Sequence, residues 1–372
     1  KEIRRTPRFA QMALAATAEA VAQAGWADGL PCGPDRVGCV IGTGIGAQTT
    51  IESQTLTYVE RGPVAIPPLQ VATALGNSAA VSVQLRYGLK GESYGVVGAC
   101  AAGAQAIGAA MRMIRGGEVD AMVVGGAESA ISEIVSASLQ ILGASSKLGL
   151  SRPFDRQRDG FVLGEGAGIM VLESAALARE RGAPELGRIT GYGASSDAFH
   201  VTAPPPDAAG SIQALWAAFR QAGIAPEDVQ YVNAHGTSTV LNDRAETLAL
   251  KTVFGSHADK VQVSSTKSAI GHLIGAAGAV EAIAALYVLQ TEVVPPTVGL
   301  EDPEEGLDLN FVPGAAQPLH PPRPGRPPIA ISNSFGFGGH NTVLVMEPGE
   351  TPLPADDGGA VGVGAVDRER DL

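Results

Sequence analysis

The sequence predicts an α/β fold built from two similar halves, and three observations predict it. One syntax recurs along the chain: a short apolar, β-branched run, a turn of small residues, then an Ala-rich stretch at helical spacing. The syntax appears in the first 187 residues and returns between 188 and 348. The residues that carry chemistry fall just after the predicted strands, where side chains and backbone N–H groups converge in α/β folds.

In the first half, Arg36 to Ile41 is a predicted strand running into Gly42-Thr-Gly-Ile-Gly46. Gly95 to Gly98 leads into Cys100 and the helix-like Ala101 to Ile114, and Ala121 to Val124 follows a Gly-Gly turn. In the second half, Val229 to Asn233 leads into His235, Val261 to Ser264 into Lys267 and an Ala/Gly helix, and Ile329 to Ser332 into Phe335-Gly-Phe-Gly-Gly339. Pro321 to Pro328 is a proline-rich connection that suits neither helix nor central strand. Residues 349–372 read as a flexible polar tail.

A chain of 372 residues that is 45% hydrophobic can bury a large core. Its apolar stretches are broken by Gly, Ser or charge before the roughly 20 residues a membrane span needs, and no secretory leader pattern is visible. The expectation is a cytoplasmic protein without membrane insertion. The net charge of −12 argues against nonspecific affinity for nucleic acid. Three cysteines, Cys32, Cys39 and Cys100, fit neither a paired-thiolate metal site nor a disulfide framework. The Gly42 cluster is a poor dinucleotide fingerprint, because Ala47 takes the last glycine position, so no nicotinamide cofactor is expected.

Cys100 sits at a predicted strand-to-helix turn. A helix start stabilises negative charge, so the expectation is a lowered thiol pKa and a reactive thiolate. A lone cysteine is most often an inert buried one; Cys100 is set apart by what accompanies it. Asn233-Ala-His235-Gly-Thr237-Ser-Thr239 places an imidazole and two hydroxyls directly after a strand. Ser264-Ser-Thr-Lys267-Ser-Ala-Ile-Gly-His272 repeats the device with an amine and a second imidazole.

These two segments, with Gly98-Ala-Cys100-Ala-Ala-Gly103 and Ser332-Asn-Ser-Phe-Gly-Phe-Gly-Gly-His-Asn341, resemble the type II β-ketoacyl-acyl carrier protein synthases of the thiolase superfamily. Gly125-Gly-Ala-Glu128, the stretch from Ser151 to Glu165 and Ser195-Ser-Asp-Ala-Phe-His200 match as well, so the likeness covers residues 1–348. The set Cys, His, His is similar to the elongating enzymes, whereas the initiating ones use Cys, His, Asn. The resemblance implies a thiolase-like fold, two α/β halves in a five-layered αβαβα core.

The resemblance also implies roles. Cys100 would accept an acyl chain, His235 and His272 would promote decarboxylation of malonyl-ACP, and Lys267 would order the site with Glu281 as its partner. The backbone N–H groups of Cys100 and Phe337 would form an oxyanion hole. Thr237 and Thr239 would hold pantetheine amides, Ile45 and Phe337 would shape and gate the acyl pocket, and His200 would support the site edge. Asp243 and Glu246 read as structural. No cofactor of its own is implied, since 4′-phosphopantetheine arrives on acyl carrier protein, and no metal. Lys1, Arg4 and Arg5 match carrier-docking positions, while two further basic docking positions correspond here to Val64 and Ala65. A homodimer, or a heterodimer with a chain-length factor, is the implied assembly.

The match departs in two places. The family's first strand has no counterpart, so the first half is expected to lack it, and the loop Ser145 to Ser151 is shorter than the elongating enzymes' Asn/Asp-rich loop. Among alternatives, a noncatalytic chain-length factor shares the fold but lacks the nucleophile. A thiolase needs a second cysteine as base, and no Cys follows Cys100.

Overall fold

The computed structural model describes residues 6–351. Lys1, Arg4 and Arg5, expected to dock a carrier protein, lie outside the described residues, as does most of the expected tail. The first half runs α1 (Arg8–Gln23), β1 (Val37–Thr43), α2 (Gln48–Arg61), α3 (Gln70–Ala74), α4 (Ser78–Tyr87), β2 (Ser93–Val97), α5 (Ala102–Arg115), β3 (Ala121–Glu128), α6 (Glu133–Leu142), β4 (Gly166–Glu173) and α7 (Ala175–Glu180). The second half begins with β5 (Gly187–Ser196), α8 (Ala209–Ala222), β6 (Tyr231–Asn233), α9 (Val240–Phe254), β7 (Gln262–Ser264), α10 (Lys267–Ile270) and α11 (Ala277–Thr291). It closes with β8 (Val293–Val294), β9 (Gln317–Pro318), β10 (Ala330–Gly336) and β11 (His340–Pro348).

The first sheet has the order β2-β1-β3-β4 and the second β5-β11-β10-β6-β7, with β8 and β9 forming a separate ribbon. In both sheets three strands are parallel and the next is antiparallel: β4 reverses against β3, and β11 against β10. β2, β1, β3 and β4 thus correspond to β7, β6, β10 and β11. Beyond β11 the second sheet adds β5, antiparallel; no strand among the described residues takes that place beside β4.

Strands covered on both faces read as apolar runs, not as alternation, and the side chains of one strand divide between two cores. Cys39 and Ile41 of β1 join Phe9, Ala10 and Ala13 of α1 on the outside of the first sheet, whereas Val40 faces Ile107 of α5 and Ala279 of α11. In β10, Ile331 joins Leu215 and Phe219 of α8 on the far outside, while Ala330 faces the central helices. The order through the molecule is helices, sheet, helices, sheet, helices.

In the central layer, the N-terminal turns of α5 and α11 meet through small residues. A Cβ on Gly103 would lie 2.9 Å from the Ala279 nitrogen, and one on Gly278 would lie 2.9 Å from Ala104 Cβ and 2.6 Å from Ser334 Oγ. The segment Ile274–Thr291, with mean hydropathy 1.4, is long and apolar enough by length and composition to cross a membrane, but 61% of it is buried in this protein, where it packs between the sheets.

Candidate active site

Cys100 lies on a single 3₁₀ turn, Ala99–Ala101, between β2 and α5. Ala99 before it has φ 47°, a left-handed conformation costing a non-glycine residue roughly 1–2 kcal/mol. The turn is tightened by Ala101 N–H donating to the Gly98 carbonyl at 3.1 Å. The outcome is a thiol turned into the space between the two sheets, 7% exposed.

The second half supplies the partners. His272 Nε2 is 3.1 Å from Cys100 Sγ, and the His235 and His272 rings meet edge to face with centroids 5.5 Å apart. Ligand atoms of Cys100, His235 and His272 all lie within 4.8 Å of one another. Residues 172 positions apart in sequence are thereby brought into hydrogen-bonding distance.

Hydrogen bonds fix both rings. Ile274 N–H donates to His272 Nδ1 at 3.3 Å, and Lys267 Nζ donates to His235 Nδ1 at 3.3 Å. A neutral imidazole whose Nδ1 accepts carries its proton on Nε2. Burial, reinforced by the Lys267 charge, pushes both imidazoles well below the ordinary histidine range, and His272 adds to the effect on His235. Each ring is neutral and offers one Nε2–H donor. Phe161 packs on His272 edge-on at 5.0 Å, and Phe335 on His235 at 5.9 Å.

Lys267 is fully buried and also reaches Glu281 Oε1 at 2.5 Å. Glu281 is thus a core residue and not a helix-surface carboxylate. Glu246, read from sequence as structural, orders the site: its two oxygens accept the His235 N–H at 2.8 Å and the Gly236 N–H at 2.7 Å, and Asn333 Nδ2 at 3.0 Å. Asp243 is buried against Arg158 at 3.1 Å and accepts the Phe154 N–H at 2.9 Å. Thr237 and Thr239 share a hydroxyl hydrogen bond of 2.8 Å on the same loop as His235.

The expectation of a lowered thiol pKa is corrected. Burial pushes Cys100 up to about 11, outweighing the Lys267 charge and the Phe337 N–H, which pull it down. Desolvation of an anion in an apolar wall is a larger effect than one helix end. The resting group is a thiol.

Phe337 stands at the tip of the three-residue turn between β10 and β11, where Gly338 (φ 84°) and Gly339 (φ 75°) take left-handed conformations. Its N–H points at the Cys100 sulfur. A Cβ on Gly336 would sit 3.1 Å from the Cys100 nitrogen, a tight contact that glycine avoids where the second sheet approaches the nucleophile turn. The Phe337 side chain is 36% exposed, and Ile45, in the turn after β1, 39% exposed. His200 is exposed, its Nδ1 accepting the Thr202 and Ala203 N–H groups at 3.1 Å, and it joins none of the groups above. Arg8, close in sequence to Lys1, Arg4 and Arg5, pairs with Glu165 at 2.8 Å.

Glu128 lies in the matching stretch Gly125-Gly-Ala-Glu128 but has no role assigned from the sequence. Its carboxylate, completely buried at the end of β3, accepts from Thr43 Oγ1 and from the backbone of Gly44, Ile45, Gly46 and Gly275. An acid closing an otherwise apolar strand was the available signal. Thiol plus two imidazoles is also a donor set that a soft metal ion accepts, but the Lys267 amine beside His235 opposes a divalent charge there.

Comparison with known proteins identifies the family. Residues 1–178 match the model of the β-ketoacyl synthase N-terminal domain, and residues 186–301 that of its C-terminal domain. A 3-oxoacyl-(acyl-carrier-protein) synthase 2 of Synechocystis sp. is 41% identical over 352 residues, covering 93% of this chain and 83% of the relative. The protein of the same name from Staphylococcus aureus is 42% identical over 356 residues, with the same coverage. Among solved structures, the ishigamide ketosynthase/chain length factor aligns with TM-score 0.85 at 33% identity, over 92% of this chain and 83% of that one. A type II polyketide ketosynthase in complex with its acyl-carrier protein and bound to the hexaketide gives 0.86 at 32% identity, over 92% and 85%. The chain therefore belongs to the β-ketoacyl synthase family, with its thiolase-like α/β fold of N- and C-terminal domains.

Proposed function

We propose that this chain extends an acyl chain by decarboxylating condensation, with Cys100 as the nucleophile. The observation that carries the reading is the 3.1 Å approach of His272 Nε2 to Cys100 Sγ, in a site where both imidazoles are neutral donors. Cys100 sulfur attacks the thioester of acyl-ACP. The acyl carbon–sulfur bond to pantetheine breaks, and the thiol proton leaves with the pantetheine sulfur. The Nε2–H of His272 and the Phe337 N–H compensate the negative charge that develops on a buried sulfur.

Malonyl-ACP then binds with its thioester carbonyl oxygen between the two Nε2–H donors. Loss of carbon dioxide leaves its electron pair as an enolate, and two fixed donors in a dry site stabilise that charge. The enolate carbon attacks the Cys100 thioester, whose oxyanion is received by the Cys100 and Phe337 N–H groups; the carbon–sulfur bond breaks, and the cysteine leaves as a thiolate that takes a proton from solvent to return to the resting thiol. Lys267, held by Glu281, orients His235 and keeps both rings neutral. Thr237 and Thr239 hold the pantetheine amides, Ile45 and Phe337 bound the acyl pocket, and His200 supports its rim.

The partner is acyl carrier protein, which the names of the relatives and the complex of one structural neighbour support. Lys1, Arg4 and Arg5 are proposed as its docking patch. A second subunit, either a copy of this chain or a chain-length factor, covers the side of the first sheet where β2 is an edge strand and its Val97 is exposed. The intact thiol and imidazoles favour a catalyst over a noncatalytic chain-length factor, which lacks the nucleophile.

The test is to mix the protein with acyl-ACP and follow the intact mass. An acyl adduct on Cys100 that malonyl-ACP discharges as β-ketoacyl-ACP is the expected result. No adduct would turn the reading to the noncatalytic subunit.

A further inference from the structure

Among the described residues, no cation donates a hydrogen bond to Glu128. All its hydrogen-bond donors are neutral: a hydroxyl and four backbone N–H groups drawn from two loops on opposite sides of the carboxylate. On one side lies the turn after β1. Oε2 accepts Gly44 N–H at 2.5 Å and Ile45 N–H at 3.4 Å, while Oε1 accepts Gly46 N–H at 3.3 Å and Thr43 Oγ1 at 3.2 Å. On the other side Oε2 accepts Gly275 N–H at 3.1 Å.

The second contact reaches His272 by a short chain. Ile274, the residue before Gly275, has φ 46°, an outlier for a β-branched side chain. A residue in that region persists only where its surroundings hold it, and the Gly275 N–H bond to Glu128 restrains the peptide that follows it. The peptide that precedes it supplies the Ile274 N–H bonded to His272 Nδ1. Its side chain rests on the other loop, since a Cβ on Gly44 would lie 2.5 Å from Ile274 Cγ2.

We propose that Glu128 is a positioning residue that holds the loop of His272 against the loop of Ile45, so that the Nε2–H of His272 is aimed for decarboxylation. The proposal rests on the condensation reading above. Glu128 touches no reacting atom. Its carboxylate is a strut between the residue bounding the acyl pocket and the ring that meets malonyl, and movement of one loop is felt by the other. An uncharged amide cannot replace it, because its NH₂ group turns a donor toward N–H groups that already donate.

The experiment compares Glu128→Gln with the wild type in two separate steps, acylation of Cys100 by acyl-ACP and release of carbon dioxide from malonyl-ACP, and repeats both in a His272→Ala background. Glu128→Asp, which keeps the charge but shortens the strut, is the second variant should the first fail to fold. The expected result is acylation within about twofold and decarboxylation slowed on the order of 100-fold, as for a misplaced reacting group. In the His272→Ala background the same change should add little, because both act through one ring. Equal losses in both steps, or fully multiplicative losses with His272→Ala, would overturn the proposal. If His272→Ala itself leaves decarboxylation intact, the role of His272 fails first, and that of Glu128 with it.

Discussion

After β2 the first half hands the chain to Cys100 and a long small-residue helix; after the corresponding β7 the second half hands it to Lys267, His272 and a helix of the same kind. The turn after β1 carries Ile45, and the turn after β6 carries His235. On the function proposed above, one architecture has taken on two chemistries, electrophile capture on one side and stabilisation of enolate charge on the other. Each half secures its loops in the same manner, with a buried carboxylate accepting backbone N–H groups, Glu128 in the first and Glu246 in the second. Duplicated scaffolds fix where a side chain emerges and leave open what it does.

The strongest way to break this division is Cys100→Ala, which should remove the acyl adduct and lower condensation on the order of 10⁴-fold or more, read by intact mass and product formation. His272→Ala should keep the adduct and slow malonyl decarboxylation by about 10²–10³-fold; an equal loss of both steps would show that the halves do not divide the work. Lys267→Met removes the counter-charge of a fully buried Glu281 and should cost about 3–5 kcal/mol of unfolding free energy in urea titration.

pH sharpens the comparison further. Both imidazoles are held well below the ordinary histidine value, so the rings stay neutral as pH falls through it. Decarboxylation should therefore be flat from pH 8 down through about 6.5, where an exposed histidine is already half protonated. A decline centred there would contradict the buried, neutral pair. The smallest effect is in the sheets themselves. β11 is flanked by β10 and β5, β4 only by β3, and amide hydrogen exchange should be faster along β4 than along β11; equal protection would mean that the edge of β4 is covered.

Cys100, His235, Lys267 and His272 were legible because each follows an apolar strand and is framed by small or hydroxylic residues, a pattern that locates them at one end of a sheet. Glu281 was reached through the family resemblance, and its pairing with Lys267 bridges 14 residues. Three things were not legible. The work of Glu128 and Glu246 lies in backbone N–H groups that converge from distant loops, and backbone has no letter in a sequence. The left-handed conformations of Ala99, Ser238 and Ile274 around the site belong to residues that ordinarily avoid them. And the thiol was expected to ionise more easily on the strength of its helix start, whereas the depth of its burial, a property of the whole fold, decides the sign.

The close approach of Gly103 to Ala279 and of Gly278 to Ala104 gives the abundance of glycine and alanine a purpose beyond packing. A pair of helices stripped of bulk works as a caliper, setting the gap across which sulfur and imidazole must meet. Widening that gap by a single isobutyl group at Gly103, one helical turn beyond Cys100, would silence the chemistry while leaving every participant in the sequence.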